Sequence, residues 1–183
     1  MRLFFAVELP DQIQAALGRL KQQDDNRDYR WSDASLLHVT LAFLGEQPPE
    51  QLPILEEVAR AAARASQPGV LRLGTAGSFG GRRAPRVLWV GLEGDLEALS
   101  NLHANLDHEL RRAQFPVEER AFKAHVTLAR RRETARSGAP PGWPPVDAPS
   151  HARFALDKLT LFQSRLSPRG PTYIPLVQAP LGG

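Results

Sequence analysis

The 183-residue sequence predicts an α+β fold assembled from two similar halves. Three observations lead there. The tetrapeptide His-Val-Thr-Leu occurs twice, at 38–41 and again 87 residues later at 125–128. The apolar run Arg2-Leu3-Phe4-Phe5-Ala6-Val7 has a counterpart in Arg86-Val87-Leu88-Trp89-Val90-Gly91, offset by 84 residues. Each run leads into a helix-like segment and then into a His-Val-Thr-Leu strand. A repeated order at near-constant spacing is the mark of an internal duplication.

Taken in order, residues 3–9 form the first strand. Pro10 and Asp11 open a helix, as a first-turn proline and an early acid should, with Ile13, Leu17 and Leu20 as its stripe. The polar run 22–28 ends it, and Trp31 follows, either capping the core or lining a cleft. Residues 36–44 form the first histidine strand. Pro48-Pro49-Glu50 starts a second helix with Leu52, Leu55, Val58, Ala59 and Ala62 on one face. A strand over 70–76 leads into the loop 78–85, rich in glycine and arginine. That loop lacks the Gly-Lys-Ser/Thr ending of a P-loop, so it is read as a hairpin connection bordering the site at most.

Residues 86–92 repeat the first strand. Asp95 starts the longest helix, with Leu96, Leu99, Leu102, Leu106 and Leu110 as its stripe. His103 sits on the edge of that stripe and is read as packing, and His108 as solvated. Residues 121–129 form the second histidine strand. Five prolines and two glycines then make 133–152, with Trp143, a long loop ending near His151. Residues 156–166 and 173–177 are the last two strands.

Composition narrows the class. Apolar residues make up 42% and charged residues 23%, as in a globular chain. No cysteine is present, which removes disulfides, thiolate metal sites and a cysteine nucleophile, and suits a reducing, cytoplasmic setting. Glu8 and Pro10 interrupt the N-terminal apolar run too early for a signal peptide. No run reaches the ~18 apolar residues of a membrane span. Net charge is +3, but arginines cluster at 82, 83 and 86, at 111 and 112, and at 130, 131, 132 and 136. Such clusters suit a locally docked polyanion, though charge alone favours a solubilising surface.

The chemistry rests on strand alternation. Residues two apart share a face, so His38 lies beside Thr40 and His125 beside Thr127, while Val39, Leu41, Val126 and Leu128 turn into a core. Two imidazoles and two hydroxyls on rigid backbone make an acid–base site if the strands face each other. No acid stands at ligand spacing beside either histidine, so no metal and no cofactor is expected.

These residues resemble a known family. Paired His-x-Thr motifs half a domain apart are the signature of the two-histidine (2H) phosphoesterases. The chain is most similar to the RNA 2′,3′-cyclic phosphodiesterases, first named 2′-5′ RNA ligases. The likeness runs through 2–10, His38-Val39-Thr40-Leu41-Ala42-Phe43-Leu44-Gly45, 85–91, His125-Val126-Thr127-Leu128-Ala129-Arg130 and 159–166. It implies a bilobed, pseudo-symmetric α+β fold, with an antiparallel sheet in each lobe, helices outside and the site in the cleft between. One domain over 1–183 is expected, its repeat halves near 1–68 and 69–183, with the C-terminal strand returning to the first lobe.

The resemblance also implies roles. His38 is the proton donor to the leaving 3′ oxygen and His125 the proton acceptor that activates water. Thr40, Thr127 and Arg130 bind the substrate phosphate, although strict alternation puts Arg130 on the face opposite His125 unless a bulge re-aims it. The product is a 2′-phosphate, and the reverse reaction joins RNA ends without ATP. The partner is RNA with 2′,3′-cyclic phosphate ends, tRNA-derived ends among them, acted on by a monomer. The alternatives are a non-catalytic RNA or nucleotide-binding module, or an enzyme for another small cyclic phosphodiester.

Overall fold

The N-terminal apolar run becomes β1 (Arg2–Glu8), buried on both faces because Leu3, Phe5 and Val7 pack into the main core while Phe4 and Ala6 pack with Phe162 and Tyr173 on the other side. The computed structural model describes residues 1–22, 28–81, 84–135, 143, 152–168 and 170–183. After β1 come α1 (Asp11–Gln22), β2 (Tyr29–Trp31), β3 (His38–Glu46) and α2 (Leu52–Arg64). Then follow β4 (Gly69–Gly81), β5 (Ala84–Gly94), α3 (Leu96–Arg112), β6 (His125–Arg131), β7 (Arg153–Leu156), β8 (Lys158–Ser167) and β9 (Gly170–Pro180).

The strands form one antiparallel sheet in the order β7-β4-β5-β6-β3-β1-β8-β9, with β2 paired to β6. Two four-strand halves therefore meet edge to edge at β3 and β6, where Val39 lies opposite Val126. The chain crosses between the halves at Asp157: β7 pairs with β4, whereas β8 pairs with β1.

The three helices bury their stripes against one face of the sheet. Ile13 and Leu17 of α1, Leu55 and Ala59 of α2, and Leu99, Leu102, Leu106 and Leu110 of α3 share a core with Phe5, Val39, Leu41, Val126 and Leu128. Burying each such leucine contributes ~1.5–3 kcal/mol. Leu96, expected in the α3 stripe, is exposed, because it sits in the first turn before the helix reaches the core. At that turn Asp95 accepts a hydrogen bond from the Val70 N–H at 2.8 Å, while its own N–H donates to the Val70 carbonyl. This reciprocal pair fixes α3 to β4.

Several boundaries differ from the sequence reading. The first histidine strand starts at His38, since Leu36 belongs to a short 3₁₀ turn. The second starts at His125: Phe122, expected inside it, stacks on His103 with ring centroids 4.2 Å apart. Of the 78–85 stretch, residues 78–81 continue β4 and residues 84–85 begin β5. Ser78 pairs with Leu88, and Phe79 with Val87. There Phe79 packs on Trp89 and His125, and that packing overrides the glycine-rich composition. Arg82, Arg83, Arg136 and His151 lie outside the described residues, as does most of 133–152. Among the described residues no helix is long and apolar enough to cross a membrane.

Both histidine strands carry the same irregularity. In β3, Thr40 lies opposite Ala6 and Ala42 opposite Phe5, leaving Leu41 as an extra residue. In β6, Thr127 lies opposite Trp89 and Ala129 opposite Leu88, leaving Leu128 as the extra one. A bulge of this kind shifts the alternation of everything after it by one. Ala6 and Trp89 are thus equivalent, an offset of 83 (89 − 6), one less than the run-to-run spacing suggested.

Candidate active site

The face of the sheet turned away from α1, α2 and α3 carries the predicted residues. Val39 and Val126 are fully buried on the helix side, so His38, Thr40, His125 and Thr127 all turn to the other. Antiparallel register around the Val39–Val126 pair sets His38 diagonally across from His125, with each histidine facing the other motif's threonine. The bulge at Leu128 brings Arg130 to this face as well: it lies opposite Val87, two positions from Trp89, the residue opposite Thr127. The structure therefore gathers all five predicted residues on one surface.

Each imidazole is held the same way. His38 Nδ1 lies 2.8 Å from the Leu36 carbonyl, and His125 Nδ1 lies 2.6 Å from the Lys123 carbonyl. A carbonyl can only accept, so each Nδ1 carries the proton and each Nε2 is left for chemistry. The carboxylate nearest in register does not compete. Glu8, opposite His38, accepts from Thr160 Oγ1 at 2.6 Å and Gln178 Nε2 at 2.7 Å, and pairs with Lys158 at 3.5 Å. Burial alone would raise its pKa, but these bonds and the lysine hold it below the usual value.

Both histidines titrate below the ordinary imidazole range. For His38 burial is the main cause; the Leu36 carbonyl opposes it, and the charges of His125 and Arg130 push further down. For His125 burial again leads, the Lys123 carbonyl opposes, and Arg130 and the Lys123 ammonium add to it. Arg130 thus bears on both rings. Among the described residues no group of three His, Asp or Glu side chains stands close enough to hold a metal ion.

Sequence reasoning missed several neighbours. Tyr173 of β9 meets the His38 ring edge-on at 5.3 Å, and Phe4 lies 4.9 Å from it. Burial raises the Tyr173 pKa, while Arg130 and Arg2 oppose the rise, so its hydroxyl stays a donor beside two cations. Around His125 stand Phe79 at 5.0 Å and Trp89 at 6.3 Å, with the Lys123 ammonium 4.5 Å above the indole. Gly77 makes room for that indole: a Cβ there would come within 2.5 Å of it. Arg30 lies directly opposite Arg130 on β2, and like charges so placed are unfavourable unless an anion comes between them. The available signal was positional. Arg2, Phe4 and Ala6 share the β1 face that leads to Thr40.

Other candidates separate cleanly. Trp31 lies opposite Ala129 on the core side and packs edge-on against Trp143, so it does not line the cleft. Trp143 donates to the Gly77 carbonyl at 3.3 Å. His103 packs on Phe122, and His108 is exposed on α3. Arg111 and Arg112 pair within α3 with Asp107 and Glu109, away from the site.

Known proteins share this architecture. Residues 9–167 match the model of the 2′-5′ RNA ligase superfamily. An RNA 2′,3′-cyclic phosphodiesterase of Thermus thermophilus is 35% identical, over all of this chain and 91% of its own. One of Escherichia coli is 31% identical, over 96% of this chain and 93% of its own. A crystal structure of a Thermus thermophilus protein superposes with a TM-score of 0.80 at 32% identity, covering 100% of this chain and 99% of that one. The crystal structure of Escherichia coli LigT complexed with 3′-AMP gives 0.78 at 30% identity, covering 100% and 98%. The match spans both histidine motifs and the strands that hold them, and the chain belongs to the 2′-5′ RNA ligase superfamily.

Proposed function

We propose that this protein hydrolyses the 2′,3′-cyclic phosphodiester ends of RNA to 2′-phosphomonoesters by paired-histidine acid–base catalysis. One observation carries the reading. The Val39–Val126 pair sets two His-x-Thr faces side by side, each imidazole with Nδ1 engaged by a carbonyl and Nε2 free.

The neutral His125 Nε2 takes a proton from water as the water oxygen attacks phosphorus. The P–O3′ bond breaks, and protonated His38 gives its Nε2 proton to O3′. The ring nitrogens need no tautomer change, because each Nδ1–H stays on its carbonyl throughout. Charge gathering on the non-bridging oxygens meets the Thr40 and Thr127 hydroxyls and the Arg130 guanidinium. A 5′-hydroxyl in place of the water gives ATP-independent 2′-5′ ligation by the same step. The activity for which the Thermus and Escherichia coli relatives are named supports the substrate class.

The test is hydrolysis of a nucleoside 2′,3′-cyclic phosphate and of a short RNA with that end, in EDTA, with the product isomer identified. A 2′-phosphate that disappears in His38→Ala and His125→Ala is expected, with losses of ~10²–10⁴-fold or more. A 3′-phosphate would reverse the donor and acceptor roles. RNA binding without turnover would leave a binding module.

A further inference from the structure

Each histidine is held by a carbonyl two residues upstream, that of Leu36 for His38 and that of Lys123 for His125. Both carbonyls lie just outside their strands, so the sheet ladder does not fix them. In the first half the segment is the 3₁₀ turn Ala34–Leu36. Its own hydrogen bonds are Leu36 N–H to the Asp33 carbonyl at 3.0 Å and Leu37 N–H to the Ala34 carbonyl at 3.1 Å. A single turn of this kind supports itself poorly, because it fixes several dihedrals for few bonds.

Helix α1 supplies the support. Gln14 and Gly18 are one helical turn apart, on the face of α1 that meets this segment. The Gln14 Nε2 donates to the Leu37 carbonyl at 3.2 Å and to the Ser35 carbonyl at 3.4 Å. Those two carbonyls flank that of Leu36, which meets His38 Nδ1 at 2.8 Å. Three consecutive carbonyls are thus engaged, the outer two by one amide group of α1 and the middle one by the imidazole. Gly18 lets the helix come this close: a Cβ there would lie 3.0 Å from the Ala34 Cβ. The second half meets the same need differently. On α3, His103 stacks on Phe122, the chain neighbour of Lys123.

We propose that Gln14 is a positioning residue for His38, holding from the helix layer the Leu36 carbonyl that sets the imidazole's tautomer and aim. The proposal rests on the acid–base reading of His38. Helix α1 packs into the core with Val39, on the side of the sheet away from the histidines, so Gln14 itself meets no substrate. Proton transfer needs Nε2 within hydrogen-bond reach of the reacting oxygen, and a small misplacement caused far from the chemistry slows it. The Leu36 carbonyl also raises the His38 pKa against the effect of burial. Without Gln14 that carbonyl drifts, its bond to Nδ1 weakens, and both the aim and the basicity of His38 fall. The charged and titratable groups around His38 are Glu8 on β1, His125 and Arg130 on β6 and Tyr173 on β9. Gln14 is neutral, so its removal alters none of those charges.

The experiment is steady-state kinetics of Gln14→Leu and Gly18→Ala on adenosine 2′,3′-cyclic phosphate across the imidazole titration range, with circular dichroism to verify folding. Leucine keeps the helix and removes both donated bonds. In Gln14→Leu, kcat should fall about three- to tenfold, the worth of a lost hydrogen bond, with KM unchanged. The alkaline limb of the kcat/KM profile reports the proton donor, so it should move to lower pH while the acid limb stays. Gly18→Ala wedges the turn away from α1 and should move the same limb, by less. An unchanged kcat and profile in Gln14→Leu overturns the proposal. So does a loss with both limbs in place, or one that falls on KM, since either is a general loosening. A shift of the acid limb alone upholds the positioning role and reverses which histidine is the donor. If Gln14→Leu does not fold, Gly18→Ala decides by the same criteria. If the wild-type protein turns over no cyclic nucleotide, the hydrolysis reading has failed, and NMR titration of His38 decides the positioning role alone. A lower His38 pKa in Gln14→Leu upholds it, and an equal one ends it.

Discussion

Arg130 stands opposite Val87, on the same face as His125, because Leu128 is an extra residue in β6. Without that bulge, alternation would leave the guanidinium on the helix side. Arg130→Gln should therefore lower kcat by ~10²–10³-fold, the usual effect of removing one preorganised donor to a developing oxyanion. Arg130→Lys should recover only part, since an ammonium keeps the charge and loses the planar fork. Steady-state kinetics on a cyclic nucleotide checks both, and a change within twofold for Arg130→Gln would remove this residue from the phosphate site.

Lys123 gives a way to tell the two histidines apart. Its ammonium lowers the His125 pKa and is not among the causes acting on His38. Lys123→Gln should raise the His125 pKa alone. If His125 is the base, it must be neutral to act, so kcat/KM should fall on the acid side and stay the same on the alkaline side. If His125 were the acid, the alkaline side would rise instead. With both pKa values below that of ordinary imidazole, the wild-type optimum in kcat/KM should lie below pH ~6.5.

Tyr173 offers a donor close to His38 from the far end of the chain. Tyr173→Phe keeps the edge-on ring contact and removes the hydroxyl. A loss of up to about tenfold in kcat/KM is expected, the worth of one hydrogen bond. The same loss should appear on 1-O-methylribose 2′,3′-cyclic phosphate, which has the reacting group and no base, and this separates a phosphate contact from a base contact. An unchanged kcat/KM would reduce Tyr173 to packing.

The depressed histidines also enter folding. A histidine whose folded pKa lies below its unfolded value binds fewer protons in the native state. Stability then rises with pH through that window and is lost as pH falls from ~6.5 toward the folded pKa. His38, His103 and His125 all act in this direction. Urea midpoints measured between pH 7.5 and 5 should fall, and His38→Gln should flatten the fall. A flat wild-type profile would contradict the burial of these rings.

Gly94 tests the joint between β4 and α3. Its φ is +97°, and an added Cβ would come within 2.5 Å of the Val70 carbonyl oxygen. Gly94→Ala should destabilise the fold by ~1–3 kcal/mol in urea unfolding. A midpoint equal to that of the wild-type protein would mean that the turn re-forms without strain.

The residues proposed to carry the chemistry were legible because their pattern is local. His38 and Thr40, like His125 and Thr127, are two apart on strands, so each shares a face without help from the rest of the chain. The leucines of α3 were legible for the same reason at helical spacing. What escaped was non-local. Tyr173 meets His38 only because β9 follows β8 back beside β1. The reach of Arg130 depends on one extra residue opposite a different strand, and no strand announces its own bulge. Trp31 was ambiguous until β2 was seen to pair with β6, which turned the indole to the core.

The order of strands in the sheet also sets a timetable for synthesis. β1 lies between β3 and β8, and Arg2 finds its second partner in Ser164. At elongation speeds of ~5–20 residues per second, β1 waits on the order of ten seconds or more for that partner to be made. During that wait one edge of a largely apolar strand stays unpaired. Slow translation should expose it longest, and a nascent chain stopped before β8 is the form of this protein most prone to pair with its neighbours on a polysome.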